Sequence, residues 1–395
     1  MQHLQQSPKD PGFVQDPYPV YARARVAGPV LWWDDFGMPA VFDYETVNAL
    51  FRDKRLGREC PPEQAQPVPP HLAPFMAVEA HSMLELEPPR HTRLRALVLR
   101  AFTSRRIAAM GPELEAMCHA LIDRFPDDVF DLLPAYCNII PVRIIARLLG
   151  VPEDMAPQLL DWSHAMVAMY QPGRSRAVED AAAQAAGAFS AFLQDYVRER
   201  RDHPADDLIT QLILAEANGQ KLSTDELITT CILLLNAGHE ATVHSMGNAV
   251  KILLEKGSCA PFLTSGAIAS TVEELLRHDP PLHIFTRYVY EPVVVGNVTL
   301  TRGDQVALVL GAANRDPARW EDPDHFDPTR PVQINSSFGG GLHFCVGAPL
   351  ARLELQIGLR VLFERHPDLQ LVERPRYADT YHFHGLERLM VRAKS

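Results

Sequence analysis

The pattern of apolar and polar positions predicts a mainly α chain with a small β portion. Apolar residues recur at helical spacing from about residue 90 to residue 278, and prolines punctuate that stretch. Strand-like alternation lies on either side of it, bounded by Gly, Pro and Asp. The predicted strands are 29–33, 39–42, 284–290, 293–301 and 305–310, with short strands within 369–393.

The longest predicted helix covers residues 224–255 and would measure ~48 Å at 1.5 Å per residue. Ser223 and Glu226 have the spacing of a capping box at its start, and Gly257 is a suitable C-terminal stop. Residues 231–237 in its middle are almost wholly apolar, which is typical of a buried helix. We therefore expect this helix to cross the core of the molecule.

Shorter helices are predicted at 44–51 and at 348–365. Residues 60–74 contain six prolines, which predicts a loop because proline is excluded from helix interiors. Length alone suggests two or three domains. The chain has no obvious linker, however, so we predict one domain over residues 1–395, with β-containing parts at about 29–43 and 284–310 and at the C-terminus.

The net charge of −11 argues against nucleic-acid binding and against adhesion to an anionic membrane. The six cysteines contain no CxxC pair, which argues against a zinc ribbon, and sparse cysteines are typical of a reducing compartment. The polar N-terminus lacks a signal-peptide pattern, and no apolar run approaches the ~18 residues that span a bilayer. We expect a cytoplasmic protein without a membrane anchor.

The residues with the clearest chemistry lie in the glycine-rich segment 338–347, called the cysteine loop below, which contains Cys345. It is not a nucleotide loop, because no Gly-Lys-Ser/Thr follows and a GxGxxG pattern fails at its last position. Glycines allow a tight bend that brings backbone N–H groups near a sulfur anion, and the helix from Ala348 directs its positive end at Cys345. These features favour a thiolate that binds a metal. The alternative is a buried, inert thiol, which is our interpretation of Cys118 and Cys231.

The cysteine loop resembles the haem-binding loop of the cytochrome P-450 family, F-G-x-G-x-H-x-C-x-G, at all six fixed positions. A chance match in a chain of this length is on the order of one in a million from average composition. The resemblance extends from about residue 16 to residue 391. It implies the P-450 fold, with the long helix above the haem, and haem b (iron protoporphyrin IX) held by the Cys345 thiolate. The matching residues are Phe338, Gly339, Gly341, His343, Cys345 and Gly347.

Other segments agree with the family in the expected order. Glu274 and Arg277 fit its E-x-x-R motif, and Asn314-Arg315-Asp316-Pro317 and Phe326-Asp327-Pro328 follow. The resemblance implies that these parts form a structural network behind the haem. Haem also carries two anionic propionates, which need cations or hydrogen-bond donors when buried. By resemblance, the donors are His91, Arg95, Arg287 and His343.

Residues 237–242 of the long helix, Ala-Gly-His-Glu-Ala-Thr, resemble the oxygen-activating signature of the family. Gly238 implies room for dioxygen where the helix meets the haem, and Glu240 is an acid suited to passing protons inward. The family usually has threonine directly after the acid, whereas this chain has Ala241 and then Thr242. One step turns a side chain by about 100° on a helix, so Thr242 need not face the oxygen. We hypothesise that Glu240, ordered water or a substrate hydroxyl delivers the protons.

The resemblance implies an enzyme that needs two electrons, and the chain contains no flavin or iron–sulfur motif, so we expect a separate ferredoxin-type partner. Residues 90–106 contain six arginines and no acid, a local asymmetry against the net charge of −11. We predict that an acidic ferredoxin docks there and on the Cys345 side, with Arg352 and Arg360 contributing. The alternative is a solvated basic helix face.

The expected activity is that of a monooxygenase that activates dioxygen and oxidises a small-to-medium apolar molecule. The family's substrate-contact regions are apolar and rich in methionine in this chain, which suits an adaptable ligand of that kind. The segment 381–385 is unusual in containing two histidines. The candidate substrate contacts are Phe75, Met76, Met83, Met166, Met169, Tyr170, Leu234, Ala237, Ile284, Phe285 and Phe383.

Two other functions remain open from the sequence. One is a haem-thiolate enzyme that uses peroxide or catalyses ring coupling or dehydration, for which Ala241 leaves room. The other is a non-catalytic haem-binding or sensor protein, against which Glu240 and Gly238 argue.

Overall fold

The computed structural model describes residues 1–170, 173–215, 219–257, 260–380 and 383–393. The chain divides into two compact units. The sheet unit consists of residues 1–64, 113–137 and 241–395, and the helical unit consists of residues 65–112 and 138–240. Every strand of the described residues lies in the sheet unit. The single domain over residues 1–395 stays a prediction.

The mainly α class predicted from the sequence is confirmed. In chain order the α-helices of the described residues are α1 (Pro11–Gln15), α2 (Tyr18–Ala27), α3 (Tyr44–Arg52), α4 (Ala73–Glu79), α5 (Arg90–Ala101), α6 (Ser104–Ala109), α7 (Gly111–Ile122), α8 (Ile139–Leu149), α9 (Ala156–Val167), α10 (Arg176–Asp202), α11 (Leu208–Leu214), α12 (Thr224–Lys256), α13 (Ile268–His278), α14 (Leu310–Ala313) and α15 (Ala348–Arg365). The strands are β1 (Gln2–Leu4), β2 (Leu31–Trp33), β3 (Met38–Val41), β4 (Leu56–Gly57), β5 (Val129–Asp131), β6 (Ile284–Val289), β7 (Val293–Val295), β8 (Val298–Leu300), β9 (Gln305–Val309), β10 (Gln370–Leu371) and β11 (Met390–Arg392).

A six-stranded sheet in the order β1-β2-β3-β9-β6-β4 forms the body of the sheet unit. β9 pairs in parallel with β3 and antiparallel with β6, where Arg287 lies opposite Val306. Smaller sheets join β10-β11-β5 and β7-β8. The long pairing of β6 with β9 fixes where Arg287 lies along the sheet.

Alternation along β9 shows how this sheet is buried on both faces. Val306 and Leu308 belong to one hydrophobic cluster together with Val41, whereas Ala307 and Val309 belong to another. Successive residues of a strand point to opposite faces, so β9 separates two cores. Burial on both faces explains why this strand is a nearly continuous apolar run in the sequence.

The prediction for the long helix is confirmed at its start and is within one residue at its end. α12 extends one residue beyond the predicted end, to Lys256, and Gly257 follows with φ +82°. The capping box forms: the Ser223 N–H donates to Glu226 Oε2 at 2.9 Å, and the Glu226 N–H donates to Ser223 Oγ at 3.2 Å. The apolar middle of the helix is largely buried.

Two predictions of local structure are wrong in detail. Residues 293–301 form the hairpin β7-β8 and not one strand, because Gly296-Asn297 supplies a two-residue turn in which Gly296 has φ +59°. Residues 60–74 are not wholly loop, since two short 3-10 turns occur there and α4 begins at Ala73. Pro74 lies in the first turn of α4, where proline is tolerated.

In the helical unit, α10 packs against α4, α9 and α11. Small side chains on its buried face allow close approach of these helices. Those alanines are Ala182, Ala183, Ala185 and Ala186. Among the residues that the structure describes, no helix is both long and apolar enough to cross a membrane.

Candidate functional site

The cysteine loop has a backbone conformation that favours glycine at two positions. Gly339 and Gly341 have φ of +67° and +66°, in the left-handed region. A Cβ at Gly341 would lie 2.0 Å from the backbone oxygen of Phe51, so no side chain fits there. The Cys345 N–H donates to the carbonyl of Phe338 at 3.0 Å and closes the loop. The thiol of Cys345 is therefore exposed just before the N-terminus of α15.

α13 carries the E-x-x-R pair, which is nearly fully buried. The Arg277 guanidinium donates to both carboxylate oxygens of Glu274, at 2.7 and 2.8 Å. It also donates to the carbonyls of Asn314 and Pro323, at 2.9 and 2.8 Å. Glu274 Oε1 also accepts from the Asp327 N–H at 3.0 Å and from Arg330 Nε at 3.4 Å. Because the two charges compensate each other in a bidentate pair, loss of either partner would leave an unpaired buried charge, which makes this a structural motif.

Asn314 and Ser337 connect this network to the cysteine loop. Asn314 Nδ2 donates to Ser337 Oγ at 2.8 Å, and Ser337 Oγ donates to the carbonyl of Leu276 at 2.8 Å. The Ser336 N–H donates to Asn314 Oδ1 at 2.7 Å. Asn48 Nδ2 of α3 donates to Ser336 Oγ at 2.9 Å. The approach to the cysteine loop is thus fixed by α13 on one side and by α3 on the other.

The buried cysteines are structural thiols. Burial raises the pKa of Cys118 to about 11 and the pKa of Cys231 to about 12, so both stay protonated at neutral pH. Burial also raises the pKa of Cys137. Cys345 differs because its exposed sulfur lies beside a helix N-terminus, where a thiolate is favoured. Cys259 lies outside the described residues.

Arg287 and His343 are the candidate propionate donors of the sheet unit. Arg287 is buried on β6, where its Nη1 donates to the Thr286 carbonyl at 2.8 Å. Its guanidinium carbon lies 5.1 Å from the ring centre of Phe51, the residue whose carbonyl meets Gly341. His343 is half-buried in the 3-10 turn of the cysteine loop. Phe51 therefore contacts both Arg287 and the cysteine loop.

His91 and Arg95 are the candidate donors of the helical unit. They lie four residues apart on α5 and so share one face of that helix. His91 is buried and Arg95 is half-buried. Their spacing places the two side chains on the same side of α5.

The oxygen-activating segment of α12 contains an exposed Ala237 in the middle of a long helix. A Cβ at Gly238 would lie 3.3 Å from the side chain of Ile145 in α8. Gly238 therefore also lets α8 pack closely against α12, a role that the sequence did not indicate. Ala241 is half-buried and Thr242 is buried.

Glu240 is buried, and its carboxylate lies between two histidines. Oε1 is 3.1 Å from Nε2 of His164 in α9 and 3.3 Å from Nε2 of His239. Sequence analysis missed His164, because nothing in its local pattern distinguishes it from other polar residues of α9. The contact depends on how α9 packs beside α12, which only the tertiary structure shows.

The predicted substrate contacts differ widely in environment. Phe285 packs against Phe51 with ring centres 6.2 Å apart, so it contributes to the core beneath the cysteine loop. Phe383 lies 5.1 Å from the ring of His244 in α12. Buried candidates are Phe75, Met83, Met166, Met169 and Leu234; half-buried ones are Tyr170, Ile284, Phe285 and Phe383; exposed ones are Met76 and Ala237.

The C-terminal segment before β11 is held by a buried network around Asp279. The hydroxyls of Tyr18 and Tyr377 donate to the two oxygens of Asp279 at 2.6 and 2.5 Å. The His384 ring stacks on Tyr377 and lies 4.5 Å from the His283 ring. Burial lowers the pKa of both histidines. Burial would raise the pKa of Asp279, but the facing His384 and His283 and the two tyrosine hydroxyls outweigh it and hold that pKa below its usual range.

The structure gives the environment of one of the two histidines in the segment 381–385. His384 faces Asp279, and its carbonyl accepts from Asn248 Nδ2 of α12 at 2.8 Å. His382 lies outside the described residues. His384 is thus part of the network that fixes this segment.

Comparison with known proteins identifies the family. A cytochrome P-450 family profile matches residues 268–370. The chain is also 37% identical to cytochrome P-450 107B1 of Saccharopolyspora erythraea, with 97% of this chain and 96% of that protein covered. The chain belongs to the cytochrome P-450 family. The 6-deoxyerythronolide B hydroxylase of the same organism is 36% identical to this P-450, with 91% of each chain covered.

Solved structures agree with this assignment. The structure of the P-450 BioI in complex with hexadec-9Z-enoic acid ligated acyl carrier protein superposes with a TM-score of 0.90. The two chains are 32% identical, and the match covers 97% of this chain and 99% of the other. The protein is therefore a haem-thiolate monooxygenase of the bacterial P-450 type, which oxidises apolar substrates, and for which a separate redox partner is typical. The predicted fold, cofactor and enzyme class are confirmed.

The residues present fit a haem in the sheet unit of this P-450. The exposed Cys345 sulfur follows a loop whose glycines allow a close approach, and α15 favours its ionised form. Through Phe51, the buried guanidinium of Arg287 lies near the same loop and suits an anionic carboxylate. A thiolate and a buried cation are the donors that a haem with propionates needs.

Proposed function

We propose that Cys345 is the axial ligand of the haem in a monooxygenase that oxidises a small-to-medium apolar molecule. The observation that carries this proposal is the exposed Cys345 at the end of a loop that requires glycine at Gly339 and Gly341. The Phe338 carbonyl accepts from the Cys345 N–H and so fixes the backbone position of Cys345. Bound haem supplies the activation of dioxygen, and the protein supplies the ligand, the charges and the protons.

Four residues are proposed to bind the haem propionates. Arg287 and His343 belong to the sheet unit, and His91 and Arg95 to the helical unit. Buried carboxylates need hydrogen bonds or cations, and a guanidinium offers several donors in a plane. Support comes from the burial of Arg287 and His91 and from the shared face of His91 and Arg95.

Glu240 is proposed to deliver protons during oxygen activation. Its carboxylate is buried but touches His164, whose side chain is 59% exposed, so a chain of polar groups links it with the exterior. Gly238, Ala241 and Thr242 complete the proposed oxygen-activating segment. Ala241 offers no hydroxyl, which leaves Glu240, water or a substrate hydroxyl as the proton source.

We infer an apolar substrate from the character of the candidate contacts. Those of the helical unit are largely methionine and other apolar side chains, which suits a ligand without fixed polar groups. Met166 is one example: its sulfur accepts from Asn236 Nδ2 at 3.7 Å in the contact between α9 and α12. The relatives include a 6-deoxyerythronolide B hydroxylase and a vitamin D(3) 25-hydroxylase, whose names give the molecules that those two enzymes hydroxylate.

A ferredoxin-type partner is proposed to dock on residues 90–106 and on the Cys345 side. The structure makes fewer charges available than the sequence suggested, because Arg93 and Arg106 form ion pairs within the helical unit. Arg90, Arg100 and Arg105 are exposed. These three cations are our candidates for steering an acidic partner.

Arg352 and Arg360 of α15 are less available for docking than the sequence suggested. Arg352 pairs with Glu273, and Arg360 pairs with Glu115 at 2.9 Å. Both guanidinium groups already have carboxylate partners, so their contribution to a ferredoxin surface is smaller than that of exposed arginines. We propose a cytoplasmic location, which accords with the sparse cysteines.

Peroxide-driven oxidation is a second candidate activity. The observation that favours it is Ala241, which removes the hydroxyl that normally assists proton delivery to dioxygen. Hydrogen peroxide is dioxygen that has already gained two electrons and two protons. A reaction that uses it therefore needs neither a ferredoxin nor that hydroxyl. Comparing turnover with a ferredoxin system against turnover with hydrogen peroxide separates the two activities.

The ligand assignment is tested by the absorption spectrum of the reduced, carbon-monoxide-bound protein. We expect a strongly red-shifted Soret band, because a thiolate pushes electron density onto the iron. Cys345→Ser should abolish this band, whereas Cys60→Ser, which changes a half-buried cysteine outside the cysteine loop, should leave it intact. A red-shifted band that survives Cys345→Ser would show that another residue is the ligand.

A further inference from the structure

Two histidines converge on the carboxylate of Glu240 in the helical unit. His164 belongs to α9, and His239 and Glu240 belong to α12. Oε1 of Glu240 lies 3.1 Å from Nε2 of His164 and 3.3 Å from Nε2 of His239. One ligand-type atom of each residue lies within 4.8 Å of the other two. The two rings are inclined at 53°, so they approach the carboxylate from different directions.

His239 presents a lone pair to Glu240. Its Nδ1 lies 2.9 Å from the carbonyl oxygen of Leu235, and since a carbonyl can only accept, Nδ1 carries the hydrogen. When Nδ1 carries the only ring hydrogen, Nε2 is an acceptor. Within the described part of the chain, this buried Nε2 has no hydrogen-bond partner. A lone pair and a carboxylate oxygen 3.3 Å apart repel each other unless a proton or a metal ion lies between them, and this contact does not have the geometry of a hydrogen bond.

A metal ion is the cation that this geometry fits. Zinc bonds of about 2.0–2.1 Å place two ligands of a tetrahedral site about 3.3–3.4 Å apart. The two measured separations, 3.1 and 3.3 Å, are close to that length. A histidine that donates one ring N–H to a carbonyl and binds metal with the other nitrogen is the usual arrangement. Two histidines and one glutamate are also a known zinc ligand set that leaves a fourth position open.

Of the three candidate ligands, one is exposed to solvent and two are buried. The side chain of His164 is 59% exposed, whereas those of Glu240 and His239 are 11% and 2% exposed. A metal ion can enter past His164 and reach two buried ligands. The low dielectric around Glu240 strengthens the attraction between its carboxylate and a divalent cation.

We propose that His164, His239 and Glu240 bind a divalent transition metal, with Zn²⁺ as the reference ion, and that the bound metal inhibits the enzyme. The inhibition rests on the proposed function of Glu240 in proton delivery. A carboxylate that coordinates a metal no longer accepts and releases protons. Reducing power should then be lost as hydrogen peroxide, and product formation should fall.

The group formed by Asp279, His283 and His384 does not carry the same inference. Both oxygens of Asp279 already accept hydrogen bonds from tyrosine hydroxyls. Asp279 and His283 are buried and His384 is nearly so, which leaves no exposed ligand through which a metal could enter.

Equilibrium dialysis of the tag-free, haem-loaded protein against Zn²⁺ tests the site directly. We expect about one zinc per haem, with an affinity that His164→Asn weakens at least about tenfold, because one of three ligands is lost. His239→Asn should have a similar or larger effect. The matched control is His71→Asn, which removes a histidine paired with Glu179 at 2.7 Å in the same unit but outside the cluster.

The binding result decides the proposal without any turnover measurement. Equal zinc binding by the wild type, His164→Asn and His239→Asn would overturn the site, and so would an equal loss in His71→Asn. Failure of zinc binding would leave the haem assignment intact, since that assignment depends on the reduced, carbon-monoxide-bound spectrum.

The regulatory half is tested by turnover with a ferredoxin system and Zn²⁺. In the wild type, zinc should lower the fraction of reducing equivalents that reaches product and raise peroxide, and a chelator should reverse both changes. His164→Asn should need at least about tenfold more zinc for the same effect, and His71→Asn should respond as the wild type does. Zinc that binds at the site without raising peroxide would overturn the inhibition while the metal site stands.

Discussion

At the level of single residues, Glu240 and Ala241 are neighbours on one helix, and only Glu240 can carry a proton. Glu240 carries a buried carboxylate in contact with His164 and His239, whereas Ala241 has no group that can hold a proton. A motif could be recognised here from the sequence alone, because residue types at fixed spacing define it. The histidine opposite Glu240 could not, because α9 and α12 are far apart in the chain.

Ala241→Thr should change how reducing power is used. A hydroxyl next to Glu240 offers a further proton carrier, so we expect peroxide leakage to fall at least about twofold, with a matching rise in product. The measurement is peroxide and product formed per reduced nicotinamide consumed. Ala241→Val is the matched control, because valine has the shape of threonine without its hydroxyl. Identical leakage in the wild type and Ala241→Thr would show that position 241 plays no part in proton delivery.

At the level of elements, the cysteine loop is fixed by backbone geometry more than by side chains. The glycines of this loop are visible in the sequence, and they directly predict a tight turn. It does not show that Gly341 meets the backbone of Phe51 at the end of α3, since that contact joins distant segments. Similarly, the capping box of α12 was predictable because all its atoms belong to one turn.

Gly341→Ala should prevent the cysteine loop from forming. The new Cβ would lie 2.0 Å from the Phe51 backbone oxygen, and the φ of +66° is unfavourable for alanine. We expect loss of most bound haem, measured as the ratio of Soret to protein absorbance. Gly37→Ala separates the steric clash from the unfavourable positive φ. Gly37 has φ +60° but no atom within 4 Å of the position that a methyl group would take. It should keep its haem and lose about 1 kcal/mol of stability. Equal haem content in both variants would contradict the steric explanation.

At the level of the whole molecule, buried titratable groups link the stability of the sheet unit to pH. Burial is the main cause that lowers the pKa of His278, His283 and His384. Each is neutral in the folded chain, whereas an unfolded histidine titrates near pH 6.5. Asp279 has a lowered pKa as well and loses its contribution only in more acidic solution.

The free energy of unfolding should therefore fall as the pH falls below about 6.5. Below that pH the histidines bind protons in the unfolded chain but stay neutral in the folded chain. Each such histidine adds up to about 1.4 kcal/mol per pH unit to the slope of the unfolding free energy against pH. Urea unfolding between pH 8 and pH 5 measures this slope. His384→Asn should reduce this slope by the contribution of one histidine. His203→Asn, at an exposed position, should leave the slope unchanged. A stability that is flat from pH 7 to pH 5 would contradict this assignment.

The sequence by itself determined α3, α12 and α15, the approximate positions of β2, β3, β6 and β9, the chemical identity of the cysteine loop and the family motifs. These features depend on residues close together in the chain, whose spacing records helix and strand periodicity, caps and turns. The identity of Cys345 as a candidate ligand could be predicted for the same reason, because its neighbours in sequence create its environment.

Only the tertiary structure decided which distant groups meet. It placed His164 beside Glu240, joined Tyr18 and Tyr377 to Asp279, and gave Gly238 a packing contact with Ile145. It also removed Arg93 and Arg106 from the free basic surface by pairing them with carboxylates. Such contacts depend on how helices and loops pack, and the periodicity of a single segment carries no record of its neighbours in space.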